Sequence, residues 1–109
     1  MGQPANIERI IKDMGFTDDI LFLQPKCLKF WSYLKIQPEK WEWREKSVFE
    51  PDGGFWVVGI LGKYILYYND IEEGYNFSPY TNYGEIDTIG CSQGELYQVV
   101  ESIFKNLQD

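Results

Sequence analysis

Acidic and tyrosine side chains supply most of the polar chemistry in one stretch of this sequence, YYNDIEEGYNFSPYTNYGEID at residues 67–87. The stretch holds five tyrosines and five carboxylic acids, and it has no lysine or arginine. The acids are Asp70, Glu72, Glu73, Glu85 and Asp87. Carboxylates can transfer protons, ligate a hard cation or pair with the cationic side chains of another protein. The surrounding residues decide which of these chemistries the sequence favours.

A metal site is one alternative for the acids. Asp70, Glu72 and Glu73 in NDIEEG could offer oxygen ligands, but the spacing of a calcium-binding loop and its later bidentate glutamate are absent. A solvated acidic loop is the simpler interpretation, so the sequence predicts no bound metal. Glycosidase-like acid–base catalysis uses a pair of carboxylates, and any acidic domain offers such pairs. A carboxylate-dependent hydrolase is therefore the weakest of the functional interpretations.

Most other catalytic chemistry is missing from the sequence. The chain has no histidine, which excludes Ser-His-Asp and Cys-His nucleophiles and removes the commonest zinc ligand. Cys27 and Cys91 lack CxxC spacing, and we expect both thiols to be reduced and buried. No glycine pattern matches a phosphate-binding loop. The sequence therefore predicts a protein that is not an enzyme and uses no cofactor.

The tyrosines in and near this stretch divide into two groups. Tyr64, Tyr67 and Tyr68 lie in apolar runs typical of strands, where the rings would pack into a sheet. Tyr75, Tyr80 and Tyr83 have neighbours that are typical of loops, namely Gly, Asn, Ser, Pro and Thr. Loop tyrosines favour binding because each ring gives a large contact area with few rotatable bonds. The sequence predicts that these three and the five acids form a partner-binding surface, with core packing of the rings as the alternative.

The charge of the chain is unevenly distributed. Residues 1–63 contain nine basic and nine acidic residues, whereas residues 64–109 contain one lysine and eight acids, which gives the net charge of −7. Nucleic acid is a poor partner for such a surface, since phosphate binding needs clustered cations. A basic protein would be attracted, although acidic charge that only keeps a domain soluble is the alternative. We therefore expect a basic protein partner and no nucleic acid.

Length and composition place the chain among compact globular domains. Its 109 residues are 44% hydrophobic and 17% aromatic, which predicts a single domain over residues 1–109. No apolar run approaches the about 20 residues that span a bilayer. The N-terminal sequence MGQPANIERI also lacks the basic and apolar segments of a secretory signal. We expect a cytoplasmic protein without membrane association, and the oligomeric state is left open.

Apolar periodicity predicts two helices in the N-terminal part. Apolar residues recur at i, i+3, i+4 and i+7, the spacing of a helix that Gly15 can end; they are Ile7, Ile10, Ile11 and Met14. In KCLKFWSYLKIQP, residues 26–38, helical spacing places Cys27, Trp31 and Leu34 on one face. Both segments are therefore expected to bury one face.

The spacing of the apolar residues changes at Trp41, where an alternating pattern typical of strands begins. PDGG at residues 51–54 and a tight turn around residues 62–63 then separate three apolar runs, as in successive antiparallel hairpins. The middle run, residues 55–61, is apolar on both faces. We expect it to lie inside the sheet and to be covered on both sides.

Two further strands are expected near residues 75–80 and 85–89. Pro79 indicates an edge strand or a bulge, because proline cannot donate to a strand ladder. The sequence predicts an α+β fold with an antiparallel sheet of about four to five strands within residues 41–90. The N-terminal helices and a C-terminal helix are expected to pack on this sheet.

The C-terminal helix has its own start signal. SQGE at residues 92–95 matches a capping box, in which Ser92 caps the helix and Glu95 reaches back. Helical spacing then relates Leu96, Val99, Val100, Ile103 and Leu107.

The run GKYILYYNDIEEGYNFSPYTNYGEI and the capped terminal helix resemble small acidic bacterial proteins that serve as immunity partners in polymorphic or contact-dependent toxin systems. The likeness covers residues 55–107. It implies a cytoplasmic protein that neutralises a cognate toxin, often a nuclease with a basic substrate-binding surface. An acidic protein can occupy such a surface by imitating phosphate charge.

Stoichiometric binding of a toxin is therefore the expected function. The alternative is a secretion or assembly chaperone, which would bind an extended client segment along a sheet edge or a helix groove. The two differ in their partners: a chaperone protects an unfolded stretch, whereas an immunity protein binds a folded toxin and abolishes its activity.

Overall fold

The computed structural model describes residues 7–15, 25–45, 54–87, 89 and 94–107. Within these residues the chain forms three helices and five strands, which confirms the α+β fold class. The helices are α1 (Ile7–Met14), α2 (Pro25–Leu34) and α3 (Leu96–Leu107). The strands are β1 (Lys35–Trp43), β2 (Phe55–Leu61), β3 (Tyr64–Asn69), β4 (Gly74–Pro79) and β5 (Glu85–Ile86).

The five strands form one sheet in the order β4-β3-β2-β1-β5. The first four strands along the chain pair antiparallel with their neighbours, as the hairpin pattern predicts. β5 adds a parallel pair that the pattern does not predict, with Glu85 opposite Glu42 and Ile86 opposite Trp43. A parallel pair is possible here because the chain reaches β5 by crossing the sheet and not by a hairpin turn.

The chain passes directly from α2 into β1. The helix expected within residues 26–38 ends at Leu34, so the sheet starts at Lys35 instead of at Trp41. Pro38 accounts for the early boundary, because a proline disfavours the helical conformation of the residue before it. β1 pairs irregularly with β2 around this proline, which keeps its missing N–H out of the regular ladder.

The helices cover one face of the sheet. The buried residues of this layer are Ile10, Cys27, Trp31, Leu34, Val58, Leu66, Tyr68, Tyr75, Leu96, Val99, Val100 and Ile103. The predicted buried face of α2 is thereby confirmed. In α1, however, Ile10 is buried while Ile11 is 57% exposed, so this helix uses a narrower apolar face than its sequence suggests.

A second apolar layer lies on the opposite face of the sheet. Its buried residues are Trp41, Phe55, Val57, Ile65, Tyr67 and Ile86. β2 contributes to both layers, through Val58 on the helix side and Val57 on the other. This confirms that the doubly apolar strand is covered on both sides.

Residues 80–84, which we call the crossing segment, connect β4 to β5 over the second face. These two strands are opposite edges of the sheet, and in a flat sheet they would lie about 19 Å apart. A turn shortens the connection, since the Glu85 N–H donates to the Asn82 carbonyl at 3.1 Å. The chain is too short to span a flat sheet with this turn in it, so the sheet must curl around the crossing segment.

β4 is an edge strand, as Pro79 predicts. The Tyr75 N–H points away from β3 and donates to the Gly94 carbonyl at 2.8 Å. Strand alternation turns Phe77 and Pro79 the same way, and proline has no N–H. Because the Tyr75 N–H is already bonded and Pro79 has none, this edge is protected against pairing with another strand.

α3 starts with a capping arrangement shifted from the predicted one. The Val99 N–H donates to the Glu95 carbonyl at 3.0 Å, and the Glu95 N–H donates to Gln98 Oε1 at 3.0 Å. Gln98 thus has the role in a capping box that the sequence assigned to Glu95. The predicted cap, Ser92, lies outside the described residues.

Cys27 is a buried free thiol, as expected, and its burial raises the pKa of the thiol. Cys91 lies outside the described residues. In the part of the chain that the structure describes, every helix is too short or too polar to cross a membrane.

Candidate partner-binding surface

Three of the predicted acids lie in the turn between β3 and β4. This acidic turn comprises residues 70–73, and Glu72 and Glu73 are exposed. The buried Asn69 Oδ1 accepts hydrogen bonds from the N–H groups of Ile71 (3.0 Å) and Glu72 (3.1 Å). Glu73 has a φ of 56°, a conformation in which asparagine or glycine is more usual. The Asn69 side chain thus fixes a turn that presents two carboxylates to solvent.

Glu85 and Asp87 follow the crossing segment at the opposite edge of the sheet. The Asn82 Nδ2 group donates to Glu85 Oε1 at 3.4 Å, and the Thr81 hydroxyl donates to Asp87 Oδ2 at 2.7 Å. Arg44 Nη1 lies 3.8 Å from Asp87 Oδ1. Asp87 therefore has a cation beside it, whereas Glu85 is the more available charge at this edge.

Strand register places the acidic turn and Glu85 at the same end of the sheet. β2 begins with Phe55, which lies opposite Trp41, and this end of β2 lies beside the end of β3 that leads into the acidic turn. Glu85 lies opposite Glu42, next to Trp41. Three strand spacings, about 15 Å in a flat sheet, separate β3 from β5. A partner that covers about 800 Å², as in an ordinary interface, would reach both groups.

Tyr75 does not belong to this surface. It lies in β4 and is 2% exposed, because strand alternation turns its ring toward the helices. Its hydroxyl donates to Asp13 Oδ2 at 2.9 Å, and Asp13 also pairs with Arg9 at 3.4 Å. Burial, together with the nearby Asp13 charge, raises the pKa of Tyr75 far above its ordinary value. The prediction of a binding anchor therefore fails for Tyr75, which instead attaches α1 to the sheet.

All three tyrosines expected in strands lie in β3, and the predicted core packing is confirmed for two of them. Tyr67 and Tyr68 are buried, on opposite faces of β3. Tyr64 is 45% exposed and stacks on Phe77, with ring centroids 5.1 Å apart. Tyr64 thus offers an exposed ring at the end of β3 opposite the acidic turn, which makes it a suitable control position.

The other two predicted anchors, Tyr80 and Tyr83, pack on Trp41. The centroids of their rings lie 5.1 Å and 4.7 Å from that of the indole ring. Trp41 is 1% exposed, whereas Tyr83 is 66% exposed. The Tyr80 hydroxyl donates to the Gly62 carbonyl at 3.3 Å. Tyr83 is therefore a surface ring that rests on a buried one.

Glu39 completes this group, and sequence reasoning missed it. Its Oε1 atom accepts hydrogen bonds from the Trp41 indole N–H at 2.8 Å and from the Tyr83 hydroxyl. Glu39 and Tyr83 are 44 positions apart, so no local pattern connects them. The one available signal is the two-residue spacing of Glu39 and Trp41, which puts both side chains on the same face of a strand. We call Glu39, Trp41, Tyr80 and Tyr83 the Trp41 cluster.

The electrostatics of this region favour a cationic partner. The hydrogen bond to Glu39 raises the pKa of the Tyr83 hydroxyl, which keeps this hydroxyl a neutral donor. Among the described residues, no lysine or arginine forms an ion pair with Glu39, Glu72, Glu73 or Glu85. The surface therefore carries carboxylates whose charge is not balanced by neighbouring side chains.

No set of three or more acidic or cysteine side chains in the described ranges is grouped closely enough to hold a metal ion.

No protein-family model matches the chain, and no curated protein or solved structure shows significant similarity to it. The geometry and charge of the Trp41 cluster and the neighbouring acids are therefore the basis for inferring a function.

Proposed function

We propose that this protein binds a basic protein partner through the Trp41 cluster and the neighbouring acids, and that it is a bacterial immunity protein. In this role it binds a cognate toxin stoichiometrically in the cytoplasm and performs no catalysis. A nuclease is the toxin class that best fits the charge, because its substrate-binding surface must attract phosphate. Carboxylates at the end of the sheet would occupy that basic surface in place of nucleic acid.

The main support for the proposal is that Tyr83 is exposed and yet already held in place. An exposed side chain normally loses rotational freedom when a partner binds it, and this loss weakens binding. Tyr83 is 66% exposed, yet Trp41 and Glu39 already hold its ring and its hydroxyl. Large aromatic rings supply much of the binding energy of protein interfaces. A ring held in this way is therefore suited to be a central anchor.

The surrounding acids support the same proposal through their effect on rates. Unbalanced carboxylates at Glu72, Glu73 and Glu85 create a negative field that accelerates encounter with a basic protein. Such rim charges contribute mainly to association, and salt screens them.

The structure favours this function over strand addition by a chaperone. At the β4 edge the Tyr75 N–H already donates to the Gly94 carbonyl, and Pro79 lacks a donor. The opposite edge, β5, contains two residues. In the described residues, neither edge presents the long row of donors and acceptors that an extended client segment requires.

A capture experiment with matched tyrosine variants tests the proposal. Tagged wild-type, Tyr83→Ala and Tyr64→Ala proteins are incubated with lysate of the producing bacterium at low salt and at about 0.5 M salt. We expect the wild type and Tyr64→Ala to capture one basic protein at low salt. The captured protein is then purified, and its affinity and its enzymatic activity are measured with each variant.

Loss of the central ring should weaken binding by about 2 kcal/mol, or about 30-fold, while Tyr64→Ala leaves it unchanged. Glu72→Gln should mainly slow association and flatten its salt dependence. Inhibition of the captured protein at a one-to-one ratio supports an immunity function. Equal binding by wild type and Tyr83→Ala, or a captured protein whose activity is unaffected, contradicts the proposal.

A further inference from the structure

We infer that the Trp41 cluster is a recognition site for one arginine side chain of the partner, with the guanidinium group stacked against Tyr83 and hydrogen-bonded to Glu39. This inference rests on the proposed function, because it assigns a chemical identity to the group that the protein surface binds. It concerns the cluster alone and not the acidic turn.

The Glu39 carboxylate has a fixed orientation. Both of its described hydrogen bonds end on Oε1, from the Trp41 indole and the Tyr83 hydroxyl. The donors are neutral, so they orient the carboxylate without cancelling its charge. In the described part of the chain no donor bonds to Oε2 and no cation pairs with Glu39. One oxygen therefore keeps its capacity to accept a charge-assisted hydrogen bond beside an exposed ring.

Other aromatic rings of this protein already show the contact that we assign to the partner. Arg9 lies over the Tyr68 ring at 5.4 Å, Lys40 over Trp56 at 5.2 Å and Lys63 over Tyr80 at 5.9 Å. Within the described residues, Tyr83 has no such cation although it is more exposed than these rings and adjoins a carboxylate. Among the described residues, Tyr83 is therefore an exposed ring beside a carboxylate over which the chain places no cation of its own.

Arginine fits this arrangement better than lysine. A guanidinium group is planar and weakly hydrated, so it can stack on a ring while its edge donates to a carboxylate. An ammonium group is compact and strongly hydrated, and it gains less from a ring that is open to water. The long-range field of the acids attracts both cations equally, so a preference between them reports the cluster.

Two short peptides, Ac-Gly-Gly-Arg-Gly-Gly-amide and its lysine counterpart, separate these contributions. Each peptide is titrated into the isotope-labelled full chain at low salt, and the Trp41 indole N–H resonance is followed by NMR. This proton is a suitable reporter because it donates to Glu39 at 2.8 Å. We expect the arginine peptide to shift the resonance and to bind about fivefold more tightly than the lysine peptide.

Two charge-matched variants locate the preference. Glu39→Gln keeps an acceptor for Trp41 and removes the charge, and it should reduce arginine binding to the level of lysine. Glu72→Gln removes one charge from the acidic turn, and it should weaken both peptides equally while the preference for arginine persists. Tyr83→Phe keeps the ring and removes the hydroxyl, so it should retain part of the preference.

The inference is overturned if the two peptides bind equally, if the preference survives Glu39→Gln, or if neither peptide perturbs the Trp41 resonance. These failures are distinct from failure of the proposed function, which depends on whether Tyr83→Ala loses the captured protein. Normal partner binding combined with equal peptide affinities would remove the arginine assignment alone.

Discussion

At the scale of single residues, tyrosine has three distinct roles in this protein. Tyr67 is packed in the core, Tyr75 is buried with its hydroxyl on a carboxylate, and Tyr83 is exposed with its ring and hydroxyl both held. The same two features, an apolar ring and a hydroxyl, serve all three because burial decides which of them dominates.

Tyr75→Phe tests the buried role. At neutral pH the variant should be less stable by about 1 kcal/mol, because it loses the hydrogen bond to Asp13. The pKa of Tyr75 is raised in the folded protein, whereas the unfolded chain loses this proton near the ordinary value of 10.0. Wild-type stability should therefore fall above pH 10 by up to about 1.4 kcal/mol per pH unit for this group. The variant lacks this loss.

The difference between wild type and Tyr75→Phe should accordingly shrink as the pH rises from 9 to about 11 in urea denaturation series. Tyr64→Phe, which removes a hydroxyl from a half-exposed ring, serves as the control and should change stability by less than about 0.5 kcal/mol. A difference for Tyr75→Phe that stays constant over this pH range would contradict the buried, neutral state of the hydroxyl.

The residue-scale predictions from sequence had a clear limit. Composition separated Tyr67 and Tyr68 from Tyr80 and Tyr83, because strands and loops have different neighbours. It placed Tyr75 with the loop group because of its Gly, Asn and Ser neighbours, although a strand near residues 75–80 is also predicted and β4 contains Tyr75. Glu39 was missed for a different reason: its partner hydroxyl comes from a residue 44 positions away, and no local pattern carries that information.

At the scale of elements, the β1–β2 pair determines where the Trp41 cluster sits. Gly54 precedes β2 with a φ of 95°, and a Cβ atom there would overlap the Trp41 carbonyl oxygen. The close approach of the two backbones thus depends on glycine. The sequence predicted the antiparallel pairing of these two strands and the turn at Gly62, whereas the first three residues of the predicted PDGG turn lie outside the described residues. It did not predict that α2 ends at Leu34, because the spacing of Cys27, Trp31 and Leu34 does not by itself mark where the helix stops.

Gly54→Ala should therefore destabilise the protein by about 3 kcal/mol, through both backbone strain and overlap with Trp41. Gly62→Ala is the matched control, since Gly62 also has a positive φ of 60° but a Cβ atom there would meet no other atom within 4 Å. We expect that control to lose about 1 kcal/mol, the cost of the left-handed conformation alone. Equal losses in thermal or chemical denaturation would show that contact with Trp41 does not matter.

At the scale of the whole molecule, the strand order predicts unequal stability across the sheet. β3 has neighbours on both sides, whereas β5 pairs through two residues at one edge. Sequence patterns predicted about four to five strands, and of the two alternatives that Pro79 indicated for β4, an edge strand or a bulge, the structure has the edge. They left the place of β5 open, because two residues carry too little pattern to specify a partner strand.

Amide hydrogen exchange measures this difference. The Glu42 and Arg44 amides donate to the Gly84 and Ile86 carbonyls at 3.0 Å and 2.9 Å, so they report the pairing of β1 with β5. We expect them to exchange at least about 100-fold faster than the amides of β3, which need global unfolding. Tyr83→Ala should accelerate them further and leave β3 unchanged. Exchange at the rate of β3 would contradict a locally opening edge.

The crossing segment also has an evolutionary consequence. Its exposed positions Thr81, Asn82 and Tyr83 are adjacent in sequence, whereas Trp41, on which Tyr83 rests, belongs to the core. Substitutions at the three exposed positions change the chemistry of the surface without changing the volume of the core. A lineage under pressure from changing partners can therefore diversify at a few neighbouring codons, with little loss of folding stability at each step.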